Sequence, residues 1–206
     1  DNAIKRMDAL VVLTERDAEK WKKIKKATVI PNSLPFYPEA SSTCETKKII
    51  SVGRLDEQKG YDMLIDAWET VHKQHPDWKI IIYGNGELHD ILKYAIIQKH
   101  LEDSFILHEP VKDIMNQYLD SSIYVMSSRF EGFGMVLAEA MACGVPCISF
   151  DCPYGPSDII KDYVDGLMVE NGNVVQLAQK ISELIEQEAI RKRMGQQAKL
   201  NIKRYS

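Results

Sequence analysis

No run of the chain approaches the roughly 18 to 20 consecutive apolar residues of a membrane-spanning helix, and the opening DNAIKRMDAL carries no signal-peptide core. A soluble, cytoplasmic protein is therefore expected. Cysteine is scarce. Cys44, Cys143, Cys147 and Cys152 form no C-x-x-C pair and have no histidines at metal-ligand spacing, so neither a zinc site nor a disulfide framework is indicated and reduced thiols are expected. A basic excess is lacking too. With 26 Lys and Arg against 30 Asp and Glu, the net charge is −4, which argues against general nucleic-acid binding, because phosphate backbones demand a strongly positive surface. An anionic ligand must then be held by a few local charges. The chain also lacks internal repeats and low-complexity tracts.

What is present suits one sizeable core: 206 residues, 45% hydrophobic and 27% charged. ALVVLT, KKIISV, WKIIIYG, SSIYVMS and VPCISF read as buried strands. Amphipathic segments follow them, and the periodicity predicts helices over residues 61–74, 87–99, 134–143, 174–187 and 189 to about 204. Strands alternating with helices imply a parallel sheet with crossover helices. Residues 8–30 read as a small strand, helix and strand. The turn-rich VIPNSLPFYPEASSTCE after them suits a linker, and the main αβ unit begins near Lys47.

Three loops after strands carry candidate chemistry. In SVGRLDEQKGYDMLIDAW, Gly53 ends a strand, Arg54 and Lys59 bracket a short excursion and Gly60 opens the next helix. Open α/β sheets bind ligands at such strand ends. A planar guanidinium, a mobile ammonium and a helix N-terminus together suit a diphosphate. The plainer alternative pairs both cations with Asp56 and Glu57 on the surface. In YGNGELHD, Gly84 and Gly86 make a G-x-G, but His89 stands where a dinucleotide fingerprint needs its third glycine. That leaves a tight βα turn rather than a nicotinamide-cofactor site.

The third loop, RFEGFGMVLAEAMACGVP, is the most informative. Its glycines admit close approach to free backbone N–H groups between Gly132 and Val136, an anion cradle at a helix start. Glu131 and Glu139 are separated by seven residues. Helical side chains lean toward the N-terminus, so Glu139 can share a crevice with Glu131. Buried carboxylates are costly unless hydrogen-bonded or paired, and sugar hydroxyls are natural donors to them. The alternative makes Glu131 a helix-start acid favoured by the dipole and pairs Glu139 with Arg129 or a lysine. Phe133 fits either the ligand side or packing beneath the loop. Downstream, Ser157 and Asp158 of GPSDII are expected to cap a short helix. The cluster KWKKIKK, with Trp21 and Ile24 among five lysines, fits a solvated helix face or peripheral contact with an anionic membrane surface.

Gly53-Arg54 through Lys59-Gly60, then Glu131-x7-Glu139 joined to Gly-Phe-Gly, then GPSDII with DGL, closely resemble the C-terminal, donor-binding domain of retaining glycosyltransferases of the GT-B fold, the family 4 group. The resemblance covers nearly the whole chain from about residue 8. It implies an α/β, Rossmann-like parallel sheet with helices on both faces, the C-terminal half of a GT-B fold. Residues 1–46 would be a short αβ piece and linker from the interdomain region, and residues 47–206 the nucleotide-sugar donor-binding domain. The N-terminal acceptor domain is absent from this sequence.

Carried over by position, Arg54 and Lys59 look like the cations that neutralise the diphosphate leaving group, and Glu131 like the carboxylate against the donor sugar. These three are the expected catalytic residues. Gly53, Phe133, Gly134, Met135 and Val136 are expected to bind the donor, the last three through backbone N–H groups, and Glu139 through the ribose hydroxyls. Val111 matches the place of a base contact, although Glu109-Pro110 departs from the family's commoner glycine there. Negative charge growing on the diphosphate as the glycosidic bond breaks would be stabilised by preorganised donors. No metal and no cofactor are expected, and no Asp-x-Asp motif occurs. The resemblance thus implies transfer of a sugar from a nucleotide diphosphate sugar, a uridine diphosphate sugar by the GPSDII variant, to a saccharide or lipid-linked acceptor held by the missing domain. Bacterial surface polysaccharide or lipopolysaccharide synthesis at the inner membrane surface is the expected setting. A GT-B sugar-nucleotide epimerase, a non-catalytic nucleotide-binding module and a flavodoxin-like partner domain are the alternatives.

Overall fold

In this computed structural model, residues 2–206 are described. After a turn of helix, α1 (Asn2–Lys5), strand β1 (Val11–Val12), helix α2 (Glu15–Trp21) and strand β2 (Thr28–Val29) form a small unit with a two-stranded parallel sheet. Thr14 starts α2, its hydroxyl accepting from the N–H of Asp17 at 3.1 Å. Residues 30–47 have no regular structure but are tied down along their length. Leu34 N–H donates to the Tyr205 carbonyl at 2.9 Å, Ser42 N–H to the Cys143 carbonyl at 2.8 Å, and Cys44 is buried. The turn-rich composition describes an irregular backbone that is packed, not a loose tether.

The main body runs β3 (Lys48–Val52), α3 (Tyr61–Gln74), β4 (Lys79–Tyr83), α4 (His89–Gln98), β5 (Phe105–His108), α5 (Ile114–Leu119), β6 (Ile123–Met126), α6 (Met135–Ala142), β7 (Cys147–Phe150), α7 (Pro156–Ile159), β8 (Gly166–Val169), α8 (Val174–Glu186) and α9 (Glu188–Ile202). Six strands form one sheet in the order β5-β4-β3-β6-β7-β8, every pairing parallel. The chain steps outward from β3 to β5, then returns to lay β6 beside β3 and steps outward the other way. The loops leaving β3 and β6 therefore diverge to opposite sides, which opens a crevice at the carboxyl ends of those two strands.

Both faces of the sheet are covered, which is why the strands are continuously apolar instead of alternating. Ile49, Ile80, Val125 and Ile148 pack under Leu64 and Trp68 of α3 and Leu177 and Ile181 of α8. Ile50, Tyr124, Met126 and Cys147 pack against Tyr118 of α5, Leu137 and Met141 of α6, and Ala198 and Ile202 of α9. Burial of each large side chain contributes about 1.5 to 3 kcal/mol. Arg191 of α9 is buried and closes the end of α8: its guanidinium donates to the Leu184 and Ile185 carbonyls at 2.6 and 2.8 Å and to the Cys44 carbonyl at 2.9 Å. All four cysteines are free and buried. Burial pushes the Cys143 and Cys152 thiols up to about 12, so both stay protonated.

The expected Rossmann-like sheet is present, as are the five predicted strands and five predicted helices within a few residues. α1, β5, β8 and α5 are additions. Each is four to six residues long and bordered by charged or turn residues, too short for a periodic signal. The expected capping by Ser157 and Asp158 is corrected. α7 starts at Gly155 without a side-chain cap. Ser157 Oγ instead accepts from Arg16 Nη1 at 2.7 Å, and Asp158 faces the backbone N–H groups of Glu15 and Arg16 at the start of α2. These contacts, with the Arg16–Asp151 ion pair, bind the small N-terminal unit to the main body.

Candidate functional site

Close backbone approach shapes the crevice. Gly84 lies so near the end of β3 that a Cβ there would stand 1.8 Å from the Gly53 carbonyl oxygen, and one on Gly86 would stand 2.4 Å from that of Leu55. The G-x-G after β4 thus makes room for the first βα loop, which fits a tight turn. Gly60, at φ 63° in the left-handed region, lets the loop reverse into α3 against the Ser127 carbonyl, 2.2 Å from where a Cβ would sit. A cavity of about 210 Å³ opens there, lined by Val52, Gly53, Arg54, Tyr83, Asn85 and Pro110. Pro110, rather than its neighbour Val111, lines it. Val111 packs part-buried against the second core cluster.

The loops after β3 and β6 are stitched together. Arg129 N–H donates to the Gln58 carbonyl at 2.8 Å, Arg129 Nη1 donates to the Glu57 carbonyl at 2.8 Å, and Gln58 Nε2 donates to the Phe130 carbonyl at 3.0 Å. Arg129 also pairs bidentately with Asp62 at 2.9 and 2.6 Å, which lowers the Asp62 pKa. Its guanidinium is thereby committed to Asp62 and is not the partner of Glu139. This frame brings Lys59 to Glu131. Lys59 Nζ donates to Glu131 Oε1 at 2.6 Å, with only 13% and 8% of the two side chains exposed. Ser128 Oγ donates to the same oxygen at 2.6 Å. A third segment grips the backbone of Glu131: its N–H donates to the Pro153 carbonyl at 2.7 Å, and Tyr154 N–H donates to its carbonyl at 2.9 Å.

Arg54 behaves differently. It is exposed at the rim, 3.0 Å from Asp56 and 3.3 Å from Gln58 Oε1. The surface-pair alternative thus describes Arg54 but not Lys59. Phe133 is buried, its ring edge-on to Tyr205 with centroids 5.2 Å apart, so only its backbone is left for a ligand. Gly134, at φ 91°, turns the chain into α6. No side chain caps that helix, so the N–H groups of Met135 and Val136 point out of its first turn without intrahelical acceptors. Glu139 is half-buried and makes no ion pair among the described residues. Its one hydrogen bond there comes from Tyr118, whose hydroxyl donates to Oε2 at 3.0 Å. Burial raises the Glu139 pKa, and the phenol opposes that shift.

The loops after β3 and β6 bring Gly53, Lys59, Glu131, Gly134, Met135 and Val136 to the switch point, with Arg54 at the rim and Glu139 in the second turn of α6. Sequence reasoning missed Ser128 and Tyr118. Ser128 stands three residues before Glu131, immediately ahead of the quoted loop, a spacing that could have drawn notice, whereas nothing local marks Tyr118.

A six-stranded parallel Rossmann-like sheet with helices on both faces and a topological switch point between β3 and β6 is the architecture of a GT-B domain. The family described as glycosyl transferases group 1 matches residues 38–201, and the chain belongs to it. It is 36% identical over 208 residues to the amylovoran biosynthesis glycosyltransferase AmsD of Erwinia amylovora, covering 96% of this chain and 58% of that protein. The chain thus spans little more than half the length of that relative. The crystal structure of a point mutant of S. aureus TarM in complex with fondaparinux, alpha-GlcNAc-glycerol and UDP superposes with a TM-score of 0.90 at 29% identity, over 98% of this chain and 42% of that one. The pneumococcal O-GlcNAc transferase GtfA, solved with UDP and GlcNAc, gives 0.84 at 25% identity, over 98% of this chain and 43% of that one.

Proposed function

We propose that this chain is the donor-binding portion of a retaining glycosyltransferase that moves a sugar from a UDP-sugar to a saccharide or lipid-linked acceptor in bacterial surface polysaccharide synthesis. The observation that carries the proposal is Lys59 held 2.6 Å from Glu131 where α6 presents uncapped N–H groups. UDP bound in both similar structures supports the base. In this reading the diphosphate lies between Lys59, Arg54 and the N–H groups of Met135 and Val136, which stabilise the charge it gains as the glycosidic bond breaks. Glu131 faces the donor sugar, Glu139 the ribose hydroxyls. The exposed cavity at Pro110 takes the base. The acceptor is held by a domain outside residues 1–206, with residues 1–46 as the interdomain piece.

The setting we propose is the cytoplasmic side of the inner membrane. Lys22, Lys23 and Lys26 are exposed and Trp21 and Ile24 half-buried, so any membrane contact there is chiefly electrostatic. Thermal denaturation with uridine, guanosine and adenosine diphosphates tests the reading. A ligand at 100 times its Kd adds about 2.7 kcal/mol. A rise with UDP that Glu139→Ala removes supports it, and no rise with any nucleotide counts against it.

A further inference from the structure

The Glu139 carboxylate has an unusual setting for an acid on a nearly apolar helix. No lysine or arginine neutralises it among the described residues, and its whole hydrogen-bond complement there is the Tyr118 phenol on Oε2. Oε1 has no protein partner among those residues. Tyr118 itself is held by packing. It is fully buried, its ring edge-on to Tyr124 with centroids 6.1 Å apart and tilted on Phe36 at 6.5 Å. Burial raises its pKa well above the ordinary phenol value, so the hydroxyl remains a proton donor at any working pH. A fixed donor on one oxygen restricts the rotation of the carboxylate and leaves the other oxygen wholly unpaired and open to a ligand donor.

We propose that Tyr118 is the positioning residue for Glu139, holding Oε2 so that Oε1 receives a ribose hydroxyl of the bound nucleotide. The inference rests on the reading of Glu139 as a ribose partner and adds the element that orients it. A phenol suits this task better than a lysine would. It gives one directional hydrogen bond without neutralising the charge, so the carboxylate keeps its full strength as an acceptor from a neutral hydroxyl. Selectivity follows, because a nucleotide lacking the hydroxyl leaves Oε1 desolvated and unpaired.

The test is binding of UDP, 2′-deoxy-UDP and 3′-deoxy-UDP to the 206-residue chain and to its Tyr118→Phe variant, by titration calorimetry. The wild type is expected to prefer UDP over the weaker deoxynucleotide by about tenfold, the size of one hydrogen bond to a charged group. In Tyr118→Phe that preference falls to about twofold, with affinity for the deoxynucleotide unchanged. Retention of the preference overturns the positioning role, even if all affinities drop together as a packing defect would cause. A wild type that binds UDP without discriminating overturns the ribose role of Glu139, and the inference with it. Should Tyr118→Phe fail to fold, Tyr118→Met is read in its place. It removes the phenol donor while leaving Glu139 intact, and the same loss of preference is expected.

Discussion

Lys59 Nζ and Glu131 Oε1 lie 2.6 Å apart across the switch point, on residues 72 positions apart in the chain. One side chain enters from the loop after β3 and the other from the loop after β6, so the pair closes the crevice floor. Two nearly buried opposite charges are costly to separate, because whichever remains is left desolvated and unpaired. Under the proposed function a diphosphate competes with Glu131 for the lysine protons, which turns the carboxylate toward the donor sugar.

Replacing Lys59 by Met is expected to destabilise the chain by about 3 kcal/mol, the typical cost of stranding one partner of a buried pair. Adding Glu131→Gln to that variant should recover most of the loss. Urea unfolding of the two single variants and the double variant measures the coupling. Additive losses would mean that the two residues act independently.

The glycines of the site divide sharply. Gly84→Ala forces a Cβ to within 1.8 Å of the Gly53 carbonyl, whereas a Cβ on Gly132 meets nothing within 4 Å. Gly84→Ala is expected to lower the unfolding free energy by about 2 kcal/mol through backbone displacement. Under the proposed function it should also weaken UDP binding by shifting Gly53 and Arg54. Gly132→Ala should leave stability unchanged within about 0.5 kcal/mol. Equal melting temperatures for the two variants would contradict the close packing of the loops.

Glu139 has a folded-state pKa raised by burial, so its protonated form is the better tolerated one in the native state. Relative to the unfolded chain, its contribution to stability is fully present below the ordinary carboxylate value and is lost as pH rises through the raised one. Glu139→Gln should therefore increase the melting temperature at pH 7. The gain should vanish below about pH 4, near the ordinary carboxylate value. A melting scan of both proteins from pH 3.5 to 8 checks the crossover. Under the proposed function the same variant loses UDP affinity, a carboxylate kept for binding at the expense of stability.

Arg191 offers a control away from the crevice. Arg191→Met removes three donations to carbonyls and the stacking of the guanidinium on Trp78, whose ring centroid is 5.2 Å away. A loss of about 3 kcal/mol is expected from the stranded carbonyls. Under the proposed function UDP affinity, read where the variant remains folded, should not change.

The layer pattern was legible because it is a matter of composition along short windows. II within β3, III within β4 and YVM within β6 are apolar on successive residues, which only a sheet covered on both faces can bury. The glycine-flanked loops with Arg54, Lys59, Glu131 and Glu139 were legible for a similar reason, since charge beside glycine at a strand end is a local event. FILH of β5 and GLMV of β8 were not, being four residues with no period to detect. Ser157 and Asp158 were misread because a polar residue near a helix start resembles a cap, while their partners come from α2, some 140 residues earlier.

By itself the sequence determined the αβ alternation, the loops that carry charge, and the apolar helix that holds Glu139. Burial preference and backbone freedom act over a few residues, so they can be read from a few residues. Only the tertiary structure decided the partners. The sheet order sets β6 beside β3, and with it Lys59 against Glu131, leaving Arg54 at the rim. Packing of α5 against α6 puts a phenol rather than a cation on Glu139. Phe133 is turned inward onto Tyr205, a residue from the far end of the chain. Such pairings are chosen by which loops the topology makes neighbours and by the cost of leaving a buried charge unpaired, and neither quantity exists until the sheet is assembled.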